Sequence, residues 1–133
     1  MPAIELSVLL DAMPFARYCG VELVSATADE VEGWLSWAED RCTANGHLHG
    51  GALMTLGDTV GAACAFVNLP DGASTVTIES KTNFIRGVDR GSATAIARPL
   101  HVGGRFIVVQ TTITDDDGGL VAAITQTQAV LRS

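Results

Sequence analysis

One stretch of the chain, residues 45 to 66, constrains the fold more than any other and reads NGHLHGGALMTLGDTVGAACAF. It opens with polar residues and glycines, and it continues as a run of small and aliphatic residues that no proline interrupts. Alanine, leucine and methionine favour helix, and a helix that is apolar on all sides is a buried one. The run therefore predicts a central helix of about 16 to 18 residues, roughly 25 Å long.

Asp58 is the exception in this run, because it places a carboxylate near the middle of an otherwise apolar helix. A buried charge without a partner is costly, so such a group is usually paired, neutralised or functional. The same carboxylate argues against a transmembrane helix, the other structure that a run of this length could form. A purely structural Asp58, bonded to a nearby Ser or Thr, stays open as an alternative.

The composition of the whole chain narrows the class of protein. Its 133 residues suit a single domain, and its net charge of −7 argues against nucleic acid or an anionic membrane as partner. The three cysteines, Cys19, Cys42 and Cys64, are an odd number without framework spacing. Reduced thiols in the cytoplasm suit this pattern better than disulfides, and the N-terminus shows no signal-peptide pattern.

The segments on either side of the central run predict short helical turns and strands. Residues 4–18 read as helical turns that Pro14 ends, and alternation predicts a hairpin over 20–28 and 30–38. Four strand patterns follow the helix, at residues 75–86, 92–101, 106–114 and 120–131. In the first of them, Val76, Ile78 and Phe84 are expected on one side.

This order of elements predicts an α+β fold, in which an antiparallel sheet of five to six strands wraps around one long central helix. Strands that follow one another through short turns form antiparallel sheets, and the apolar helix needs such a cover. The second face of the sheet and its edges then remain available for a partner. A homo-oligomer is therefore expected.

Three segments resemble the hotdog-fold acyl-CoA thioesterases, specifically the PaaI-like group of the phenylacetate pathway. They are residues 13–23, with MPFA and GVEL; residues 45–59, with NG, HGGAL and LGDT; and residues 75–86, which end in NFIR. The resemblance implies one hotdog domain over residues 1–133 and no cofactor apart from the coenzyme A of the substrate. It also implies a homodimer that pairs into a homotetramer as a dimer of dimers.

Gly50 and Gly51 stand where the central helix is expected to begin. The first N–H groups of a helix lack intrahelical partners, and glycine lets a substrate oxygen approach them closely. This is the outline of an oxyanion hole, although a tight turn that simply needs glycine is the structural alternative. Asp58 is the candidate nucleophile or general base.

Asp58 lies seven residues after Gly51, about 10 Å along a helix axis. One substrate carbonyl cannot lie about 3 Å from both groups, so a site built across a dimer is the simplest solution. The helix N-terminus would come from one subunit and Asp58 from the other. The resemblance implies the same arrangement.

The resemblance implies roles for three further residues. Asn45 belongs to its active-site segment, His49 would orient the substrate or donate a hydrogen bond near the thioester carbonyl, and Thr77 would help to hold Asp58 or the attacking water. For His49 the alternative is a polar helix cap, and for Thr77 it is an ordinary strand residue. Cys42, His47 and His49 lack a fourth ligand at a sensible spacing, so no metal is expected.

Three cationic side chains, Arg86, His101 and Arg105, are candidates for binding the phosphates of coenzyme A. A solvated surface position is the alternative for each of them. Together these residues predict an acyl-CoA thioesterase that cleaves an aromatic or medium-chain acyl-CoA to free acid and coenzyme A. Two rivals stay open: a non-catalytic acyl-CoA sensor, and a hotdog dehydratase acting on a 3-hydroxyacyl thioester.

Overall fold

A computed structural model describes residues 4–133 and contains three α-helices, one short 3₁₀-helix and six strands. The helices are α1 (Leu6–Asp11), α2 (Pro14–Cys19) and α3 (Gly50–Phe66), and the 3₁₀-helix is Glu39–Arg41. The strands are β1 (Glu22–Ala26), β2 (Val31–Ser36), β3 (Ser74–Phe84), β4 (Ser92–Val102), β5 (Phe106–Thr114) and β6 (Leu120–Leu131). Within residues 4–133, no helix is both long and apolar enough to cross a membrane.

The six strands form one antiparallel sheet in the order β1-β2-β4-β5-β6-β3. Its concave side packs on α3, which contacts every strand. The predicted sheet around one long central helix is therefore confirmed. Small residues on β4 let the helix approach the sheet, because Ala93, Ala95 and Ala97 are all fully buried beneath it.

Two glycines of α3 bring the helix especially close to β6. A Cβ atom at Gly57 would overlap the side chain of Ile124, and one at Gly61 would overlap the carboxamide of Gln126. The two glycines are four residues apart on the helix, and their two partners are two apart on the strand, so one helical face meets one strand face. This contact brings the side chains of β6 against the middle of α3.

The connection from β3 to β4 is a crossover and not the tight turn that the sequence suggests. β3 pairs only with β6 and forms one edge of the sheet, whereas β4 lies between β2 and β5. The connecting residues pass the loop before α3, where the Leu48 N–H donates to the Val88 carbonyl at 2.8 Å. The Val88 side chain is buried at this point, so it anchors the connecting segment to the core.

The expectation that Val76, Ile78 and Phe84 lie on one side of β3 is wrong, because β3 contains a β-bulge. The register shifts between Thr77, which faces Gln128, and Glu79, which faces Thr127, so Ile78 is an extra residue. After such a bulge the alternation of faces is reversed. Val76 therefore points to the outer face of the sheet, whereas Phe84 points inward.

Candidate active site

Asp58 lies beside the edge strand β3, on a face of α3 that the sheet covers only in part, and its side chain is half-buried. The hydroxyl of Thr77 donates to Asp58 Oδ1 at 2.8 Å, and Gln126 Nε2 donates to the same oxygen at 3.0 Å. No group among residues 4–133 donates to Asp58 Oδ2. The carboxylate is thus held through one oxygen and presents the other.

The hydrogen bonds continue from this carboxylate into the sheet. Gln128 Nε2 donates to the Thr77 hydroxyl oxygen at 2.7 Å, and the Thr75 hydroxyl lies 3.1 Å from Gln128 Oε1. Gln126 and Gln128 are 1% and 0% exposed, although carboxamides are rarely buried so completely. Sequence analysis missed both glutamines, yet their alternation with threonines places them on the same inward face as Ile124.

The N-terminus of α3 forms a second group of functional atoms. His49 is the N-cap, and its Nδ1 accepts the Gly51 N–H at 2.8 Å. Because Nδ1 acts as the acceptor, the neutral imidazole carries its proton on Nε2. The Gly50 N–H makes no hydrogen bond within residues 4–133, so it is the free donor of this helix end.

A cleft of about 650 Å³ opens beside this helix end, between α2 and α3. Phe15 and Tyr18, whose rings stack with centroids 6.3 Å apart, line it together with His49 and Thr55. Arg41 also lines the cleft, and its Nη1 donates to the Ser36 carbonyl and hydroxyl at 3.0 and 2.8 Å. Within residues 4–133 no carboxylate lies within 4.0 Å of Arg41. Sequence analysis missed this cation.

An apolar groove of about 500 Å³ begins one helical turn beyond Asp58. α3 contributes Ala62 and Phe66, α1 contributes Val8 and Leu9, and Thr75 closes the groove at β3. Since Thr75 also bonds Gln128, the groove adjoins the hydrogen bonds that hold the carboxylate. Its volume falls within the usual range for small-molecule sites.

The chain brings the predicted catalytic residues together in two separate groups. Thr77 joins Asp58, whereas His49, Gly50 and Gly51 lie together about 10–14 Å away along α3, given its rise of 1.5 Å per residue. Asn45 belongs to neither group. It is exposed in the turn that includes Gly46, and the Gly46 carbonyl accepts a hydrogen bond from the Trp37 indole N–H.

The three candidate phosphate ligands lie at opposite ends of the sheet. Arg86 follows β3 at the end near Gly50, and its guanidinium lies 3.8 Å from the Asp115 carboxylate. His101 and Arg105 belong to the β4–β5 hairpin at the other end, where Phe106 faces Ala129. The eleven residues of β3 separate the two ends by about 33 Å. One chain therefore cannot direct all three cations to one phosphate group.

The cysteine thiols beside the site are poor nucleophiles. Burial, and then the Glu39 and Asp40 carboxylates, raise the pKa of the Cys42 thiol, which donates to the Ala38 carbonyl. Burial raises the pKa of Cys64 to about 11. Since the thiolate is the reactive form, Asp58 remains the stronger nucleophile candidate. Among residues 4–133, no three His, Cys, Asp or Glu side chains are placed to hold a metal ion.

The sequence matches a family model over most of the region that carries these atoms. The model is that of the thioesterase superfamily, and the match covers residues 45–122. The chain belongs to the thioesterase superfamily. The match includes both ends of the candidate site on α3, as well as Thr77 on β3.

Named relatives within the thioesterase superfamily agree with this assignment. The proofreading thioesterase EntH of Cronobacter turicensis is 32% identical over 102 residues, which are 77% of this chain and 74% of that protein. A 1,4-dihydroxy-2-naphthoyl-CoA hydrolase of Escherichia coli is 31% identical over 86 residues, which are 65% of this chain and 63% of that enzyme.

A thioesterase from Haemophilus influenzae shares the fold closely. Its crystal structure superposes with a TM-score of 0.92 at 24% sequence identity, covering 98% of this chain and 93% of that one. This likeness confirms the predicted hotdog fold, and the family match confirms the prediction of a thioester hydrolase.

Proposed function

We propose that the chain is a PaaI-like acyl-CoA thioesterase, which hydrolyses an acyl-CoA to the free acid and coenzyme A. The observation that carries this proposal is the Asp58 carboxylate. Thr77 and Gln126 hold its Oδ1, its Oδ2 is without a donor among residues 4–133, and an apolar groove begins one turn away. A structural aspartate would be expected to use both oxygens.

The proposed reaction can follow two routes from this geometry. Asp58 Oδ2 attacks the thioester carbon, coenzyme A leaves as its thiolate, and water then cleaves the resulting anhydride. In the other route, Oδ2 takes a proton from water, which attacks the same carbon. A thiol with a pKa near 8.5 is a good leaving group, so neither route needs a strong acid or a cofactor.

The carbonyl oxygen needs a hydrogen-bond donor where its negative charge develops. The Gly50 N–H is the free donor, and the His49 Nε2–H adds a second if the imidazole keeps its cap on Gly51. Both groups lie about 12–14 Å from Asp58 of the same chain along the helix axis, given the helical rise. The proposed site therefore combines the helix N-terminus of one subunit with Asp58 of the other.

The exposed edge of the sheet supports such a dimer. β3 is an edge strand of eleven residues, and Val76 and Ile78 on it are 51% and 57% exposed. A long edge strand with exposed apolar side chains invites pairing with another chain. Pairing of two β3 strands would place the partly covered faces of two α3 helices side by side. A dimer of dimers remains the proposed full assembly.

The apolar groove beside Asp58 is the proposed site for the acyl group. Its lining by α1 and α3 suits an aromatic or medium-chain acyl group rather than a charged one. A relative acts on 1,4-dihydroxy-2-naphthoyl-CoA by name, so aromatic thioesters come first among the candidates. The three free cysteines suit a reducing compartment, which supports the cytoplasm as the proposed location.

The test measures thiol release from a panel of acyl-CoAs with aromatic, short-chain and long-chain acyl groups. Wild type should cleave at least one of them, and Asp58→Asn should lower kcat by about a thousandfold or more, as loss of a nucleophile or base does. Asp71→Asn, in an exposed loop, is the matched control and should retain activity.

Two other outcomes would reassign the protein. Tight binding of acyl-CoAs without any thiol release would make it an acyl-CoA sensor. Formation of a conjugated enoyl thioester from a 3-hydroxyacyl-CoA, without thiol release, would make it a dehydratase. Hydrolysis that survives Asp58→Asn would contradict the assigned role of this carboxylate.

A further inference from the structure

Gln126 donates to Asp58 itself and Gln128 donates to Thr77, but neither glutamine has been given a part in the proposed reaction beyond holding Asp58 Oδ1. We infer that they are positioning residues of the proposed hydrolysis, and that they turn the Asp58 carboxylate so that Oδ2 is the reacting oxygen. This inference rests on the proposed function. Neither side chain is required to touch the substrate.

Two hydrogen-bond routes converge on the same carboxylate oxygen. Gln126 Nε2 reaches Asp58 Oδ1 directly at 3.0 Å. Gln128 acts one step away: its Nε2 donates to the Thr77 hydroxyl, which must then use its only proton on Asp58 Oδ1. Gln128 thereby fixes the direction of the Thr77 donor. Both routes end on Oδ1, and no group among residues 4–133 donates to Oδ2.

The orientation of Gln126 follows from the charge beside it. Its Oε1 would be repelled if it replaced Nε2 next to the carboxylate, so the NH₂ group faces Asp58. Oε1 then points at Gly61, and no group among residues 4–133 donates to it. A Leu or Met would fill this position without an unpaired acceptor, so apolar packing alone does not explain the glutamine.

The backbone of two elements is adapted to the same contacts. Any side chain at Gly61 would displace the Gln126 carboxamide, so the helix lacks a Cβ at that point. The bulge at Ile78 adjusts β3 so that Thr77 lies opposite Gln128. Bulges often direct a side chain towards a functional site.

The kinetic test uses Gln126→Met and Gln128→Met, which keep the length of the side chain and remove its hydrogen-bonding groups. With the best acyl-CoA of the panel, kcat should fall about ten- to a hundredfold while KM stays within about twofold, as expected when a reacting group is misplaced. Thr111→Val is the control, because its buried hydroxyl is on β5 and outside these hydrogen bonds.

A double-mutant cycle separates positioning from general stability. Because Gln128 acts through Thr77, Gln128→Met should cause no further loss of kcat in a Thr77→Val background. Thr77→Ser keeps the hydroxyl and should restore most of the activity that Thr77→Val loses. Additive losses in the cycle, or wild-type kcat in both glutamine variants, would overturn the inference.

A structural readout tests the positioning of Asp58 separately from the proposed function. In a crystal structure of the Gln126→Met/Gln128→Met protein, the Asp58 carboxylate should rotate away from its present orientation. An unchanged carboxylate would contradict the inference, whatever the protein hydrolyses. Absence of thioester hydrolysis by wild type would instead contradict the proposed function, and the crystal structure would still test the positioning.

Discussion

At the scale of single residues, the site combines groups that would be costly elsewhere in a core. Leaving a buried acceptor such as Gln126 Oε1 unpaired costs about 1–3 kcal/mol. The half-buried Asp58 carboxylate adds a desolvation cost, which its two donors offset in part. Such costs are typical of a site arranged for chemistry rather than for stability.

His49 carries a prediction at this scale, because its two ring nitrogens have different tasks. Nδ1 caps α3 through the Gly51 N–H, and Nε2–H is the proposed donor to the substrate. His49→Ala should therefore lower the free energy of unfolding by about 1 kcal/mol, the usual value of an N-cap. His49→Asn should keep the cap and the stability, since asparagine is a good N-cap residue.

Thermal or denaturant unfolding and steady-state kinetics measure these two effects separately. If Nε2–H serves the substrate, kcat of His49→Asn should fall about tenfold or more although its stability is normal. Normal activity in His49→Asn together with a destabilised His49→Ala would show that the imidazole is a structural cap only.

At the scale of elements, α3 serves as both core and site. One face packs on the sheet through Gly57 and Gly61, and the adjoining face, which the sheet covers only in part, presents Asp58 and Ala62. The groove beside Ala62 is bounded by the short helix α1, so its width depends on side-chain size at one helical position. Substrate range should therefore respond to a change there.

Ala62→Phe should fill part of this groove and exclude large acyl groups. We expect kcat/KM for aromatic and medium-chain acyl-CoAs to fall about tenfold or more, with little change for acetyl-CoA, because steric exclusion depends on acyl size. Val24→Phe, at an exposed position of β1, is the matched control. Equal losses for all acyl groups would show that the acyl chain lies elsewhere.

The elements differ in how well the sequence predicts them, for physical reasons. The helix at Gly50–Phe66 and the strand pairs β1–β2 and β4–β5 follow from local periodicity and turn residues. The bulge at Ile78 does not, because one extra residue leaves the composition of a strand unchanged. The position of β3 beyond β6 is a non-local pairing, so it depends on packing around α3.

The residues of the candidate site also differ in how well the sequence predicts them. Asp58 is visible as a charge in an apolar run, and the glycines mark the helix start. Gln126, Gln128 and Arg41 are ordinary polar residues in the sequence. Their roles depend on which face each side chain takes and on neighbours that are distant in the chain. Inward alternation on β6 is the one local signal for the glutamines.

At the scale of the whole molecule, a single chain presents two halves of the proposed site. The free Gly50 N–H and the carboxylate of Asp58 lie too far apart along α3 to share one carbonyl. The exposed edge strand β3 and the partly covered face of α3 lie on the same side of the chain, because β3 and Asp58 meet at Thr77. A second subunit bound there would complete both halves at once.

Mixed dimers test this arrangement directly. Asp58→Asn and Gly50→Ala should each be inactive as homodimers, the latter because a Cβ at position 50 would press on the Phe84 ring beside the N–H donor. When the two variants are co-expressed in equal amounts, half of the dimers are mixed and each mixed dimer has one intact site. Activity should then return to about a quarter of the wild-type value.

The comparison depends on both variants being folded and dimeric, which circular dichroism and light scattering check. Gly50→Val is a second variant of the helix end, in case the Phe84 ring moves aside and Gly50→Ala keeps activity. Recovery in the mixture requires that each site draws on two subunits, because a site within one chain would stay defective in every combination. If mixed dimers are shown to form and activity does not recover, both halves of the reaction lie within a single subunit. In that case α3 would have to move for Gly50 and Asp58 to reach one carbonyl.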